Sequence, residues 1–221
     1  MKDAKLLDNV KSEMLGLLCK QGTRIENMVP YKKSAVLLPL VEVDGKLGVL
    51  FEVRAKTLAF QPGEVCFPGG RIEDEDSDYE QTVWRECYEE LGLSEPDLEI
   101  LGQLTPLVSP MGMEVYPYLG LIGDISKIKV NAGEVDSTFV VPLEFFYNTE
   151  PRTTMSEVGT RSASDFPHDL VPNYPREWKL RSKYKVYFYV YGGRVIWGLT
   201  AHILRMFLEK HKDVLALNAK G

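Results

Sequence analysis

The stretch "KKSAVLLPLVEVDGKLGVLFEVRA" constrains the fold more than any other. Two apolar runs, residues 34–43 and 46–54, flank Asp44-Gly45. An Asp-Gly pair between such runs signals a two-residue hairpin, because both central positions need positive φ. An antiparallel strand pair is therefore expected here, and later segments must complete a sheet around it. "KVYFYVYGGRVIWG" repeats the signal at Gly192-Gly193. Its tyrosines alternate with Val or Phe, as in a strand with one buried face. "LEILGQLTPLVSP", "EVYPYLGLIG" and "KIKV" read as further strands separated by turns. "EVDSTFVVPLEFF" reads as a strand end running into a short helix opened by Pro142.

Three longer segments carry helical spacing. Residues 4–20 place Leu6, Leu7, Val10, Met14, Leu17 and Leu18 on one stripe. A central helix is predicted from about Asp78 to Leu91, with Gly92 as its stop. "LTAHILRMFLEKHKDVL" closes the chain as an amphipathic helix. Strands before and after one central helix imply α/β or α+β layers around one sheet. Residues 1–30 form an N-terminal helical extension on this reading, and 31–221 the main domain. Residues 150–182, rich in Ser, Thr and Pro, are expected to be an irregular insertion. A dimer arm, a substrate lid and simple decoration are all open for it, and so is a homodimer.

Charge narrows the function. The 221 residues carry a net charge of -6, which lacks the electrostatic footprint of a nucleic-acid binder. A small anionic substrate is still admissible, because a bound divalent metal reverses the local sign. Cys19, Cys66 and Cys87 make neither a disulfide framework nor a zinc ligand set, and read as small buried hydrophobes. The first residues are charged throughout, which argues against a signal peptide. No run approaches the ~18 apolar residues that span a bilayer. These features lead to the expectation of a soluble cytoplasmic protein with no membrane association.

The stretch "GRIEDEDSDYEQTVWRECYEELGL", Gly70 to Leu93, is crowded with acids. On the central helix, Tyr79, Val83, Cys87 and Leu91 make one row able to face a core. Asp78, Thr82, Glu86 and Glu90 make the neighbouring row, flanked by Glu89. Glu86 and Glu90 are like charges at i,i+4, a mutual cost of about 0.2–0.5 kcal/mol when unpartnered. Arg85 can pair with Glu89 and leaves the other two unrelieved. A solvated charged face is the usual fate of such a run. The alternative is a hard cation, since Mg²⁺ takes a few carboxylates with waters and phosphate oxygens. The turn "FPGG" just upstream, whose small residues let the backbone approach the helix, favours that alternative.

"RECYEELGL" (Arg85–Leu93) resembles the second half of the Nudix box, G-x5-E-x7-R-E-U-x-E-E-x-G-U, with Cys87 in an aliphatic place. The first half departs. Fourteen residues separate Gly70 from Arg85, one more than the pattern has, and Ser77 stands at the position of its first Glu, between Asp76 and Asp78. Upstream, "VLFEVRAKTLAFQPGEVCFPGG" is similar to the signature of the coenzyme A pyrophosphatase branch at Leu50, Arg54, Gly63, Val65, Phe67, Pro68, Gly69 and Gly70. It differs at Ala55, where that signature has Ser, and at Ala59, where it has a second Arg.

The resemblance implies a Nudix-like α/β/α sandwich with a mixed sheet and a catalytic loop-helix. It implies a hydrolase of phosphoric anhydride bonds that uses Mg²⁺ or Mn²⁺. Glu86 and Glu90 become the metal ligands, Glu89 a third acid acting directly or through water, and Gly70 a carbonyl donor to the metal. Arg85 would orient Glu89. The general base comes from the helix or from a later loop, where Glu134 is the candidate. Arg54, assisted by Lys56 and the Gly69-Gly70 turn, would hold the phosphates of a small nucleotide substrate. Coenzyme A or acyl-CoA is implied, giving 3′,5′-ADP and 4′-phosphopantetheine. ADP-ribose or NADH is the alternative substrate, and a non-catalytic nucleotide-binding module the alternative class. His168, His202 and His211 are dispersed and lack metal-ligand spacing.

Overall fold

The structure is a computed structural model that describes residues 30–213. The expected N-terminal helix over residues 4–20, with Cys19, lies outside the described residues. Strands β1 (Lys32–Val43) and β2 (Lys46–Arg54) form the hairpin that Asp44-Gly45 dictates. Both turn residues have positive φ, 53° and 72°, as a turn of this hand requires.

Seven of the other strands are β3 (Val65–Cys66), β4 (Gly69–Arg71), β5 (Leu98–Gln103), β6 (Leu107–Ser109), β7 (Met113–Ile122), β8 (Val135–Pro142) and β9 (Arg152–Thr160). They are completed by β10 (Lys179–Tyr191) and β11 (Arg194–Trp197). The first eight make a mixed sheet. β1 runs parallel to β7, from Lys32↔Met113 to Val41↔Ile122. Its other edge is shared: Leu40–Val43 pair with β2, and Ser34–Val36 pair with β4. β1 and β2 therefore diverge, and the chain from Val65 to Gly70 fills the opening. Leu37 N–H bonds Pro68 O there at 2.8 Å. This wedge places the Gly69-Gly70 turn at the middle of the sheet, and β8 covers the outer edge of β2.

Helices α1 (Tyr79–Leu91), α2 (Leu143–Asn148) and α3 (Gly198–Lys210) cover the sheet. Side chains alternate along β2. Leu50 packs with Ala35 and Leu37 against Val83, Cys87 and Leu91 of α1. Val49 and Phe51 join the core formed with Phe146 of α2 and Leu204 and Phe207 of α3. The result is the α/β/α sandwich with a mixed sheet that the sequence implied. β9, β10 and β11 form a separate three-stranded sheet, whose Tyr189 and Ile196 enter the second core. Among the described residues no helix is long and apolar enough to cross a membrane.

Two expectations need correction. Residues 150–182 are not irregular throughout, because β9 pairs with β10 from Arg152↔Phe188 to Thr160↔Lys179. Most of β9 is exposed, so the strand lacks apolar alternation, and only its β-branched Thr and Val content betrays it. The irregular part is confined to residues 161–178. "KIKV" is not a strand either. Ile125–Lys127 form a 3₁₀ turn capped by the Asp124 side chain. Next, Lys129 N–H and Asn131 N–H bond Leu91 O and Glu90 O, at 2.8 and 2.9 Å. The donors of this segment satisfy the carbonyls at the end of α1 instead of a ladder.

Candidate active site

α1 is fixed at both ends by local chemistry. The Asp78 carboxylate accepts from Gln81 N–H at 2.9 Å as N-cap. Gly92, at φ 66°, ends the helix, and its N–H bonds Tyr88 O at 3.0 Å. Val83, Cys87 and Leu91 are fully buried against the sheet. The neighbouring row faces the wedge, so Glu90 is only 4% exposed.

The glycine turn meets this row directly. Gly69 N–H donates to Glu90 Oε2 at 2.9 Å. Gly69 has φ 142°, and a Cβ there would run into the backbone of Ala35 and Val36. A Cβ at Gly70 would land on the Glu86 carboxylate. Glycine is therefore required at Gly69, where backbone blocks a Cβ, whereas at Gly70 a Cβ would displace only the end of the Glu86 side chain.

Arg85 is the hub of the acidic stretch. It does reach Glu89, through Nη1 at 3.3 Å. The same nitrogen bonds Glu86 Oε1 at 2.9 Å. Its Nε and Nη2 grip the two Asp76 oxygens, both at 3.2 Å, and Nη2 also bonds Arg71 O at 2.9 Å. Asp76, read from sequence as one of several loop acids, is tied into the site by this grip. Its carboxyl is held down at about 2, chiefly by the Arg85 hydrogen bonds. The extra loop residue is absorbed so that Asp76, not Ser77, answers the guanidinium.

A second acid escaped the sequence reading. Glu52 lies on β2 in the row Leu50–Glu52–Arg54, so it faces α1. It is 1% exposed, and neither oxygen has a hydrogen-bond donor among the described residues. Burial, and then the facing Glu90, push its carboxyl well above the usual range. Burial likewise raises Glu90 to about 8, against the opposing pull of the Gly69 N–H. Glu86 is raised by burial, with Arg85 pulling the other way. A lone acid inside the apolar run "VLFEVR" was the available signal for Glu52.

Glu134 ends the segment that joins β7 to β8, immediately before Val135. Its carbonyl accepts from Ala55 N–H at 2.8 Å, and its charge acts on both Glu86 and Glu90. Arg54 closes the row at the mouth, with Nε directed to Phe60 O at 3.4 Å and its charge felt by Glu52 and Glu90. Lys56 is not gathered with the acids. It lines a cleft of about 420 Å³ with Val53, Asp136, Arg194 and Trp197, beside the β10–β11 hairpin. Ala59 is exposed. The described cysteines are free, and Cys87 is fully buried as expected. The histidines pack elsewhere: His202 lies against Tyr187, and His168 against Phe166.

Among the described residues, no three acidic, His or Cys side chains close around an ion by themselves. The donor set nevertheless fits a hard cation completed by water and substrate oxygens. Among the described residues Glu90 accepts one backbone hydrogen bond and Glu52 none, which leaves oxygen ligands free. Glu86 and Glu90 would hold such an ion, with Glu89, half exposed on Arg85, at the rim.

The glycine turn, α1 and β2 thus gather an acid-lined wedge on a mixed-sheet α/β/α fold. The NUDIX domain matches residues 31–151, and the chain belongs to the Nudix hydrolase family. It is 38% identical over 145 residues to the peroxisomal coenzyme A diphosphatase NUDT7 of Mus musculus, covering 66% of this chain and 60% of that protein. It is 31% identical over 179 residues to the mitochondrial coenzyme A diphosphatase NUDT8 of Homo sapiens, covering 80% and 68%. Nudix hydrolase 15, mitochondrial, of Arabidopsis thaliana is 34% identical over 180 residues, covering 78% and 56%. The chain thus spans from a little over half to about two thirds of the length of these relatives.

Proposed function

We propose that the chain is a divalent-cation-dependent pyrophosphohydrolase that cleaves the diphosphate of coenzyme A or an acyl-CoA. The products are 3′,5′-ADP and 4′-phosphopantetheine, or its acylated form. The observation that carries this reading is that Glu52, Glu86, Glu90 and Glu134 lie close enough to act on one another, with Arg54 near Glu52 and Glu90. So many acids repel a diphosphate unless a cation stands between. Support for coenzyme A comes from the Arg54-to-Gly70 signature and from relatives that carry the name coenzyme A diphosphatase.

A bound Mg²⁺ or Mn²⁺ supplies charge neutralisation and acidifies a coordinated water. The chain supplies the rest. Glu86 and Glu90 would hold the cation; the Gly69 N–H bonds the Glu90 carboxylate, and the missing Cβ of Gly70 leaves room for that of Glu86. Arg85 locks Glu86 and Glu89 to the loop, so their positions are set before substrate arrives. Arg54 offers a planar guanidinium to diphosphate oxygens at the mouth. Glu134 accepts the proton of the attacking water at its carboxylate. Positioning and charge stabilisation carry most of the rate in such transfers.

The test is incubation of the purified chain with CoA, with and without Mg²⁺ or Mn²⁺, and separation of the products. Metal-dependent release of 3′,5′-ADP is expected. Brisk cleavage of ADP-ribose or NADH with CoA untouched would overturn the CoA assignment and keep the reaction class. That second outcome has a specific basis in Ala59, which leaves no guanidinium where the CoA signature has one.

A further inference from the structure

Glu52 has no part in the mechanism above, yet it is among the most buried side chains of the molecule. Strand alternation aims it at α1, and its carboxyl faces that of Glu90. Neither of its oxygens meets a donor among the described residues. A bond between two carboxyls needs a shared proton, and charged carboxylates at this place repel. Its sheet neighbours do not help. The residues beside it in register are Cys66 on β3 and Thr138 on β8, and neither bonds it. Arg54, next in the row, directs its Nε to Phe60 O.

A buried ion is tolerated when it is paired or coordinates a metal. Among the described residues no Lys or Arg forms an ion pair or hydrogen bond with Glu52, and Arg54 acts on it only through its charge. Divalent cations are commonly held by one or two carboxylates, with water and phosphate oxygens filling the remaining positions. We propose that Glu52 and Glu90 together hold a divalent cation at the floor of the wedge, which makes Glu52 a metal ligand from outside the loop-helix. The proposal rests on the cation-dependent reading of the site.

The experiment is a calorimetric titration of Mn²⁺ into the full chain and its Glu52→Gln, Glu52→Asp and Glu75→Gln variants, with thermal melts in chelator and in Mn²⁺. Glu75 is an exposed acid of the neighbouring loop and serves as the control. Glu52→Gln is expected to weaken Mn²⁺ binding by about tenfold or more, in the range seen when support for a metal site is removed. It should also melt higher than the native chain in chelator, since an unpaired acid is gone, and gain less from Mn²⁺. Glu52→Asp keeps the charge but withdraws it by one methylene, so it should weaken binding while folding normally. Native affinity in either Glu52 variant would overturn the proposal and leave the proposed function standing. A native chain that binds no Mn²⁺ at all would overturn both.

Discussion

Asp76→Asn tests the packing of the acidic loop most directly. The Asp76 carboxylate accepts from Glu73 N–H at 3.0 Å, Thr82 Oγ1 at 2.8 Å, and Arg85 Nε and Nη2, both at 3.2 Å. Its side chain is 3% exposed and that of Arg85 is 21% exposed. Asn keeps the size but removes the charge, and its NH₂ would face a guanidinium. Charge-assisted hydrogen bonds contribute about 1.5–3 kcal/mol. Breaking a fully buried pair costs about 3–5 kcal/mol. Arg85 keeps Glu86 and Glu89, so a loss of about 2–3 kcal/mol is expected. At about 2–4 °C per kcal/mol for a chain of this size, melting should fall by about 4–12 °C. The pH dependence has a definite sign. The folded carboxyl titrates near 2, below its ordinary 3.8. Its contribution is therefore complete above the ordinary value and is lost as pH falls toward 2, so native and variant should converge on acidification. Glu75→Gln, at an exposed neighbour, should change stability by no more than about 0.5 kcal/mol. Equal melting of Asp76→Asn and the native chain at pH 7 would refute the assignment of Asp76 as the anchor of Arg85.

Other perturbations separate fold from chemistry. Gly69→Ala drives a Cβ into backbone that cannot move aside, so it should sharply reduce folded yield or melting temperature. Gly70→Ala meets only the end of the Glu86 side chain, so the protein should fold, with Mn²⁺ affinity and CoA turnover both reduced. Glu86→Gln and Glu90→Gln should each cost orders of magnitude in turnover with the circular-dichroism spectrum retained, and unchanged rates in both would refute the metal assignment. In chelator, the protein should melt lower at pH 8.5 than at pH 6. Glu90 is raised from an ordinary 4.5 to about 8, so its contribution is full below the lower value and is lost as pH rises through the upper one. Added Mn²⁺ should narrow that difference.

The sheet was legible because its signals are local. Asp44-Gly45 and Gly192-Gly193 each set a turn, and alternation set the faces. α1 was legible from its row pattern and from Gly92. β9 was not, because a strand exposed on most of its length carries no alternation to read. "KIKV" misled for the opposite reason. Its apolar alternation suits a strand, but Lys127 and Ile128 close the 3₁₀ turn, and Lys129 N–H, with Asn131 N–H just beyond, is taken by the end of α1, a contact that depends on the assembled fold.

The site shows the same division with a chemical consequence. Glu86, Glu89 and Glu90 could be placed by spacing alone, because one helix carries all three. Asp76 and Glu52 could not. Asp76 needed the path of a loop one residue longer than the pattern, and nothing local says which of several neighbouring acids turns inward. Glu52 comes from a different element, and its meaning depends on β2 diverging from β1 so that the wedge opens above it. An acid in the middle of "VLFEVR" violates the rule that strand interiors facing a core are apolar. Violations of local rules concentrate at functional sites, where a ligand offsets what the free chain loses. Glu73, Glu75 and Asp74 are exposed, whereas the acids withdrawn from water are Glu52, Asp76, Glu86 and Glu90. Asp76 is answered by Arg85 and Glu86 in part by the same arginine, while among the described residues Glu90 has one backbone donor and Glu52 none. Among the described residues, the least satisfied carboxyls are therefore those of Glu52 and Glu90, the pair to which the proposed cation is assigned.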